Sequence, residues 1–137
     1  MIRLDLLILA DAATLGEGKL NVLGGAITRL TPPNIPTVVN LAVAVRLLLD
    51  APEDFAQLDH RLEIVYPSGG VFAAIPFSGE GASPPMPLLA GESLGVVFIV
   101  NLSGFPVTEE GLHTFRVCTS SGESLGETRM VVARLTG

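Results

Sequence analysis

An apolar-polar alternation of period two decides what this chain can fold into. Ile2, Leu4, Leu6, Ile8 and Ala10 fall on one side of such a pattern, with Arg3, Asp5 and Asp11 on the other. That is the mark of a strand with one face in a core. Leu41, Val43, Val45 and Leu47 repeat it, opposite Ala42, Ala44 and Arg46. No segment sustains helical apolar spacing over a helix's length, and Gly- and Pro-rich breaks separate the alternating runs. A chain so patterned must bury sheet faces against one another. The expected fold is therefore all-β: a single domain over residues 1–137, an antiparallel β-sandwich of about eight strands, immunoglobulin-like or jelly-roll-like in topology.

The first strand is read as ending near Asp11, and the turn-rich "AATLGEG" leads into a second over Lys19 to Leu30. "TPPNIP" then breaks the chain, because prolines cannot donate to a ladder, and a third strand runs from about Thr37 to Leu49. The acidic stretch from Asp50 to His60 suits a short helical turn. Strands at about Arg61 to Tyr66 and Val71 to Phe77 flank "PSGG", a hairpin signal. The Gly/Pro/Ser-rich segment from Ser78 to Glu92 is a long loop, functional or mobile. In the following strand, "SLGVVFIVNL", both faces are apolar: Val97 and Ile99 alternate with Val96, Phe98 and Val100. Both faces must then be covered, one by the sandwich core and the other by a subunit interface. The chain closes with a strand, the turn "SSGE" and a last strand from about Glu127 to Leu135. The phrase "EEGLHTFRV" resembles the corner before the penultimate strand of immunoglobulin-like domains, with His113 where those domains place a tyrosine.

Composition supports the interface reading. Charged residues make up 16% of the chain, against roughly 25% in ordinary soluble domains, while 48% is hydrophobic. The apolar surplus is best placed against another subunit, so a homo-oligomer is expected. The formal net charge is −6, and Lys19 is the only lysine. Nucleic-acid binding runs on Lys and Arg neutralising phosphates, so neither nucleic acid nor an anionic membrane surface is an expected partner. At the N-terminus the uninterrupted apolar run is Leu6 to Ala10, flanked by Asp5 and Asp11. A secretory signal core needs roughly 7–15 apolar residues and a membrane span about 20. With Cys118 the only cysteine, no intrachain disulfide can form. A cytoplasmic protein is expected.

Candidate chemistry is sparse. In "GEGKL" Leu20 stands where a phosphate-binding loop needs Ser or Thr, and Ala13 where it needs its first glycine. A dinucleotide loop fails likewise, since Asn21 takes the place of the third glycine after Gly16 and Gly18. Gly24 and Gly25 then read as a bulge or bend in a long strand. Two histidines and one cysteine cannot fill a structural zinc site. Asp50, Glu53, Asp54, Asp59 and His60 lack the spacing of a calcium loop and read as a solvated connection. Cys118 alternates with Arg116, a cation that could lower its pKa, but a small hydrophobe packed on a sheet is the better reading. Neither His60 nor His113 sits in a nucleophile-elbow context. Arg3, Asp5 and Asp11 read as cross-strand charge pairs. No cofactor and no catalytic residue is assigned.

Taken together, "LDLLILADAA", "GKLNVLGGAITRL", Pro36 and "LAVAVRLLL" resemble an uncharacterised bacterial family of small proteins known only as a domain of unknown function. The resemblance covers most of the chain and is firmest over Leu4 to Leu30. It implies a compact bacterial β-sandwich and brings no activity with it. The functional expectation is a non-enzymatic protein acting by protein–protein association, self-association included, through Val96, Val97, Phe98, Ile99 and Val100. The alternative is a small-ligand or carbohydrate-binding module, weakened by the absence of Trp and the presence of a single tyrosine, Tyr66. A pocket rimmed by Arg29, Arg46 or Arg116 would favour its anionic-ligand form.

Overall fold

A computed structural model describes residues 1–17, 19–77 and 88–135. Among the described residues, nine strands form two sheets. The first holds β1 (Ile2–Gly16), β2 (Lys19–Gly25), β4 (Thr37–Leu49) and β7 (Leu94–Val107), in the order β2-β1-β4-β7. The second holds β3 (Arg29–Leu30), β5 (His60–Val65), β6 (Val71–Pro76), β8 (Gly111–Thr119) and β9 (Ser124–Val132), in the order β3-β9-β8-β5-β6. Neighbours are antiparallel except β3 and β9, which are parallel. A short 3₁₀ helix, Pro52–Gln57, joins β4 to β5, where the acidic stretch predicts a helical turn. Of the two topologies expected, this is the immunoglobulin-like one. In chain order β4 and β7 pair as strands B and E do, and β9-β8-β5-β6 follow the G-F-C-C′ order. Part of the loop expected between Ser78 and Glu92, residues 78–87, lies outside the described residues.

Two bulges in the first sheet set which of its side chains reach the core. The β1–β4 register shifts between Leu4 and Leu6, so Ile2 and Leu4 pack inward, and after the shift Leu7 and Leu9 do. The single apolar face expected from Ile2 to Ala10 is thus corrected: Ile8 turns to the outer side of the sheet. In the β4–β7 ladder Val39 faces Phe105 and Leu41 faces Leu102, leaving Ser103 and Gly104 opposite Asn40. Gly104 takes φ +73°, and its N–H donates to Asn40 Oδ1 at 2.9 Å. This extra residue carries Phe105 and Val107 to the inner face.

The second strand expected over Lys19 to Leu30 is instead two, in different sheets. β2 lies along β1 as far as Gly25, opposite Ala10. Gly24 and Ala26 both adopt left-handed φ, +61° and +60°. Ile27 then donates to the Leu9 carbonyl at 2.9 Å and packs inward. The Thr28 carbonyl accepts from Val131 of β9 at 2.9 Å. The double glycine is therefore the place where the chain leaves one sheet for the other, a known use of strand bends. A side chain at Gly24 would be strained at that φ and would collide with the Asp11 carboxylate, whereas Ala26 already bears the left-handed strain. We expect opposite signs two residues apart. Gly24→Ala should cost about 1–2 kcal/mol, and Ala26→Gly should gain about 0.5–1 kcal/mol. Urea unfolding of both variants checks this, and a loss of stability in Ala26→Gly would contradict it.

The core lies between the sheets. Val43, Val45, Leu47 and Leu49 of β4 face Leu62, Ile64, Phe115, Val117, Met130 and Val132 of the second sheet. At the corner entering β8, His113 is fully buried and T-shaped against Tyr66, with centroids 5.7 Å apart. Its Nδ1 lies 3.2 Å from the Gly111 carbonyl, a contact that requires the Nδ1–H tautomer. Immunoglobulin-like corners tie a tyrosine to upstream backbone in the same way. The other ring nitrogen, Nε2, is buried without a partner. Burial pushes the His113 pKa down, against smaller upward pulls from the Gly111 carbonyl and Glu109. A histidine whose folded pKa is depressed is protonated more readily in the unfolded chain. Its contribution is complete above the unfolded value of about 6.5 and is lost as pH falls below it. Between about pH 7.5 and 5.5 the wild type should therefore lose more Tm than His113→Leu. Equal slopes in the two proteins would remove His113 as the cause.

Candidate interaction surface

The outer face of the β1-β4-β7 sheet is assembled by register. Directly opposed side chains share a face, which gives the rows Arg3–Leu48–Gly95, Leu6–Arg46–Val97, Ile8–Ala44–Ile99 and Ala10–Ala42–Asn101. Ala42 and Ala44 are buried here, and Ala13 and Leu20 of the β1–β2 hairpin pack on them together with Ile8 and Ile99. Leu6, Ile8, Leu48, Val97 and Ile99 stay partly exposed. The charge at the centre is internally balanced, with Arg46 Nη1 donating to Asp5 Oδ2. At the near end Arg3 donates to Asp50 at 2.9 Å and to Ser93 at 3.1 Å. These pairs realise the charge pairing expected of Arg3 and Asp5, whereas Asp11 lies beside Gly24.

Of the five residues proposed as an interface, the structure splits the set by face. Val96, Phe98 and Val100 pack into the core, where Phe98 stacks on Phe77 at 4.8 Å. Val97 and Ile99 point outward. Leu6 and Ile8 belong to the same outer face but read as core in the sequence, because the bulge that reverses their direction leaves no trace in the alternation.

The exterior of the opposite sheet is charged over one part and apolar over another, where Val71 and Leu112 are 58% and 46% exposed. Glu63 stands between Ala74 and Arg116, and Arg116 in turn opposes Glu127. Arg61 bonds Glu63 at 3.1 Å. Cys118 lies beneath this layer, 1% exposed, its Sγ 3.8 Å from Glu63 Oε2. It opposes Arg61, while the adjacent His60 opposes Thr119. Successive side chains leave a sheet in opposite directions, so thiol and imidazole lie on different sides of it. Arg29, Arg46 and Arg116 do not converge either: they stand on β3, on the outer face of the first sheet and on the outer face of the second. Tyr66 is wedged between Phe72 and Phe105 and donates to the Pro106 carbonyl at 3.1 Å. Among the described residues, no cluster of three or more His, Cys, Asp or Glu side chains could hold a metal ion, and no helix is long and apolar enough to cross a membrane.

The strand order and pairing define an immunoglobulin-like β-sandwich. The chain belongs to the family of unknown function DUF6941, whose model matches residues 5–133. No curated protein matches the sequence.

Proposed function

We propose that this protein is a non-catalytic association module that binds other protein, a second copy of itself included, through the outer face of the β1-β4-β7 sheet. One observation carries the reading: Leu6, Ile8, Val97 and Ile99 stand partly exposed on one sheet face beside the Arg46–Asp5 pair. Apolar side chains in a contiguous patch, with their few charges paired, suit burial against a partner. A twofold dimer needs a patch that complements itself. A patch with one cation beside one anion meets that need, because Arg46 of each copy can face Asp5 of the other. The low charge content of the whole chain points the same way. A cytoplasmic setting is part of this reading, supported by a sole cysteine that is buried and unpaired. The test is the molar mass in solution. Size-exclusion chromatography with light scattering at micromolar concentration should give a stable oligomer, and a clean monomer would overturn self-association.

A further inference from the structure

We propose that the corner joining β7 to β8 is an acid-triggered latch: a proton on His113 swings the turn at residues 108–110 and the Tyr66 ring away from the core while both sheets stay paired. The imidazole is fully buried, with Tyr66 edge-on at 5.7 Å and Phe105 edge-on at 6.3 Å. Met130 of β9 lies opposite it and is buried as well. Nδ1–H uses the Gly111 carbonyl, and Nε2 faces no partner. The neutral ring tolerates this, because its bare nitrogen is only an acceptor. Protonation makes Nε2 a second donor and places a full charge among apolar rings, where neither is solvated.

The groups around the ring offer no substitute for water. Phe105 on β7 and Met130 on β9 are uncharged. The Tyr66 phenol, just after β5, is spent on the Pro106 carbonyl at 3.1 Å. It stays neutral in acid, since burial and then Glu109 push its pKa up. In the turn, Glu109 is the carboxylate whose charge is felt at His113, and it accepts from the Ser68 N–H at 2.8 Å. Glu110 accepts from the Arg134 N–H. The imidazolium must therefore be carried to solvent.

The path is short. His113 is the third residue of β8. Gly111, at φ +123°, is a pivot between turn and strand that only glycine supplies at little cost. The aromatic wall is thin, for Phe72, edge-on to Tyr66 at 6.0 Å, is 39% exposed. The bonds of Glu109 and Glu110 that shut the corner are exposed, so water competes for them. Val43, Val45 and Leu47 of β4 and Leu62 and Ile64 of β5 hold the core outside this corner. Stability so unevenly spread permits local opening below the global transition. Burial holds the His113 pKa under its ordinary value, so the latch opens below about pH 6.5. The acid loss of Tm expected above thus begins as an event at one corner.

Tyr66 is the only tyrosine and Trp is absent, so the tyrosine bands of the near-ultraviolet circular dichroism report this corner alone. Titrating the full chain from about pH 7.5 to 4.5 should abolish most of that signal in a one-proton transition. The far-ultraviolet signal of the strands should not change. In NMR the His113 imidazole C–H should titrate with the same midpoint, and acrylamide should quench Tyr66 fluorescence more strongly at the acid end. His60, the other histidine, supplies the control: His60→Gln should keep the transition and His113→Leu should lose it. The His113 resonance is read in the wild type, so the test stands even where His113→Leu does not fold. Four results would each overturn the proposal: joint loss of the near- and far-ultraviolet signals, titration of His113 without change at Tyr66, a tyrosine signal constant to the acid end, or the wild-type transition in folded His113→Leu.

Discussion

Phe105→Ala should remove about 3–5 kcal/mol of stability, the range for deleting a buried phenylalanine ring. Phe105 is 1% exposed. Its ring meets Phe72 edge-on at 5.1 Å, stacks near Tyr66 at 6.2 Å, and lies 6.2 Å from Phe115 and 6.3 Å from His113. The ring therefore joins both sheets, since Phe105 is on β7 while Phe72 and Phe115 are on β6 and β8. Removing it leaves a void that four aromatic neighbours cannot close without leaving their own contacts, and each aromatic pair adds about 0.5–1.5 kcal/mol beyond burial. A domain of ordinary stability, about 5–15 kcal/mol, would stay folded at room temperature and melt roughly 10–25 °C lower. Denaturant and thermal unfolding measure both quantities. A cost below about 1.5 kcal/mol would mean that the aromatic cluster relaxes around the gap and does not tie the sheets together.

Phe105 also shows where the sequence is legible and where it is not. Period-two alternation reports strand existence well and gives the all-β class, while turn residues mark "PSGG" and "SSGE" and the acidic stretch marks the helical turn after Leu49. Alternation carries direction only until the first extra residue. In β7 the inward set Val96, Phe98, Val100, Leu102 continues as Phe105 and Val107. The step from even to odd numbers comes from the bulge that Asn40 stabilises by bonding the Gly104 N–H. A hydrogen bond between residues so far apart in the chain leaves no local pattern to read. The same holds in β1, where the shift between Leu4 and Leu6 moves Ile8 from the expected core to the outer face.

The double glycine was legible as a bend but not as a change of sheet. Gly24 and Gly25 signal that the backbone must do something a side chain forbids. Which sheet the chain enters next depends on β9, whose Val131 takes the Thr28 carbonyl. A cavity at the end of the sandwich was illegible for a related reason. Asp54, His60 and Glu123 read as a solvated acidic connection and an isolated turn, and they line one cavity because the 3₁₀ helix, the start of β5 and the turn before β9 meet there.

For the proposed interface, Val97→Asp should shift the oligomer to monomer, raising Kd roughly a thousandfold. Val97 suits the test because its fold cost is small. It is directly opposite Arg46, which can receive the new carboxylate within the monomer, so the variant should keep its Tm to within a few degrees. In a dimer the arithmetic is harsher. A twofold interface contains the substitution twice, and a charge desolvated at the centre of an interface costs about 2 kcal/mol or more per site. Two such penalties amount to about 4 kcal/mol, which is the thousandfold change. Thr114→Asp is the matched control, since Thr114 stands on the exterior of the other sheet beside Arg129 and receives a carboxylate as readily. Light scattering over a dilution series should find the control associated and Val97→Asp monomeric. If Thr114→Asp dissociates and Val97→Asp does not, the interface lies on the exterior of the second sheet. If both variants remain associated with wild-type affinity, neither sheet exterior makes the contact, and association must run along a strand edge, where β2 and β7 border the first sheet.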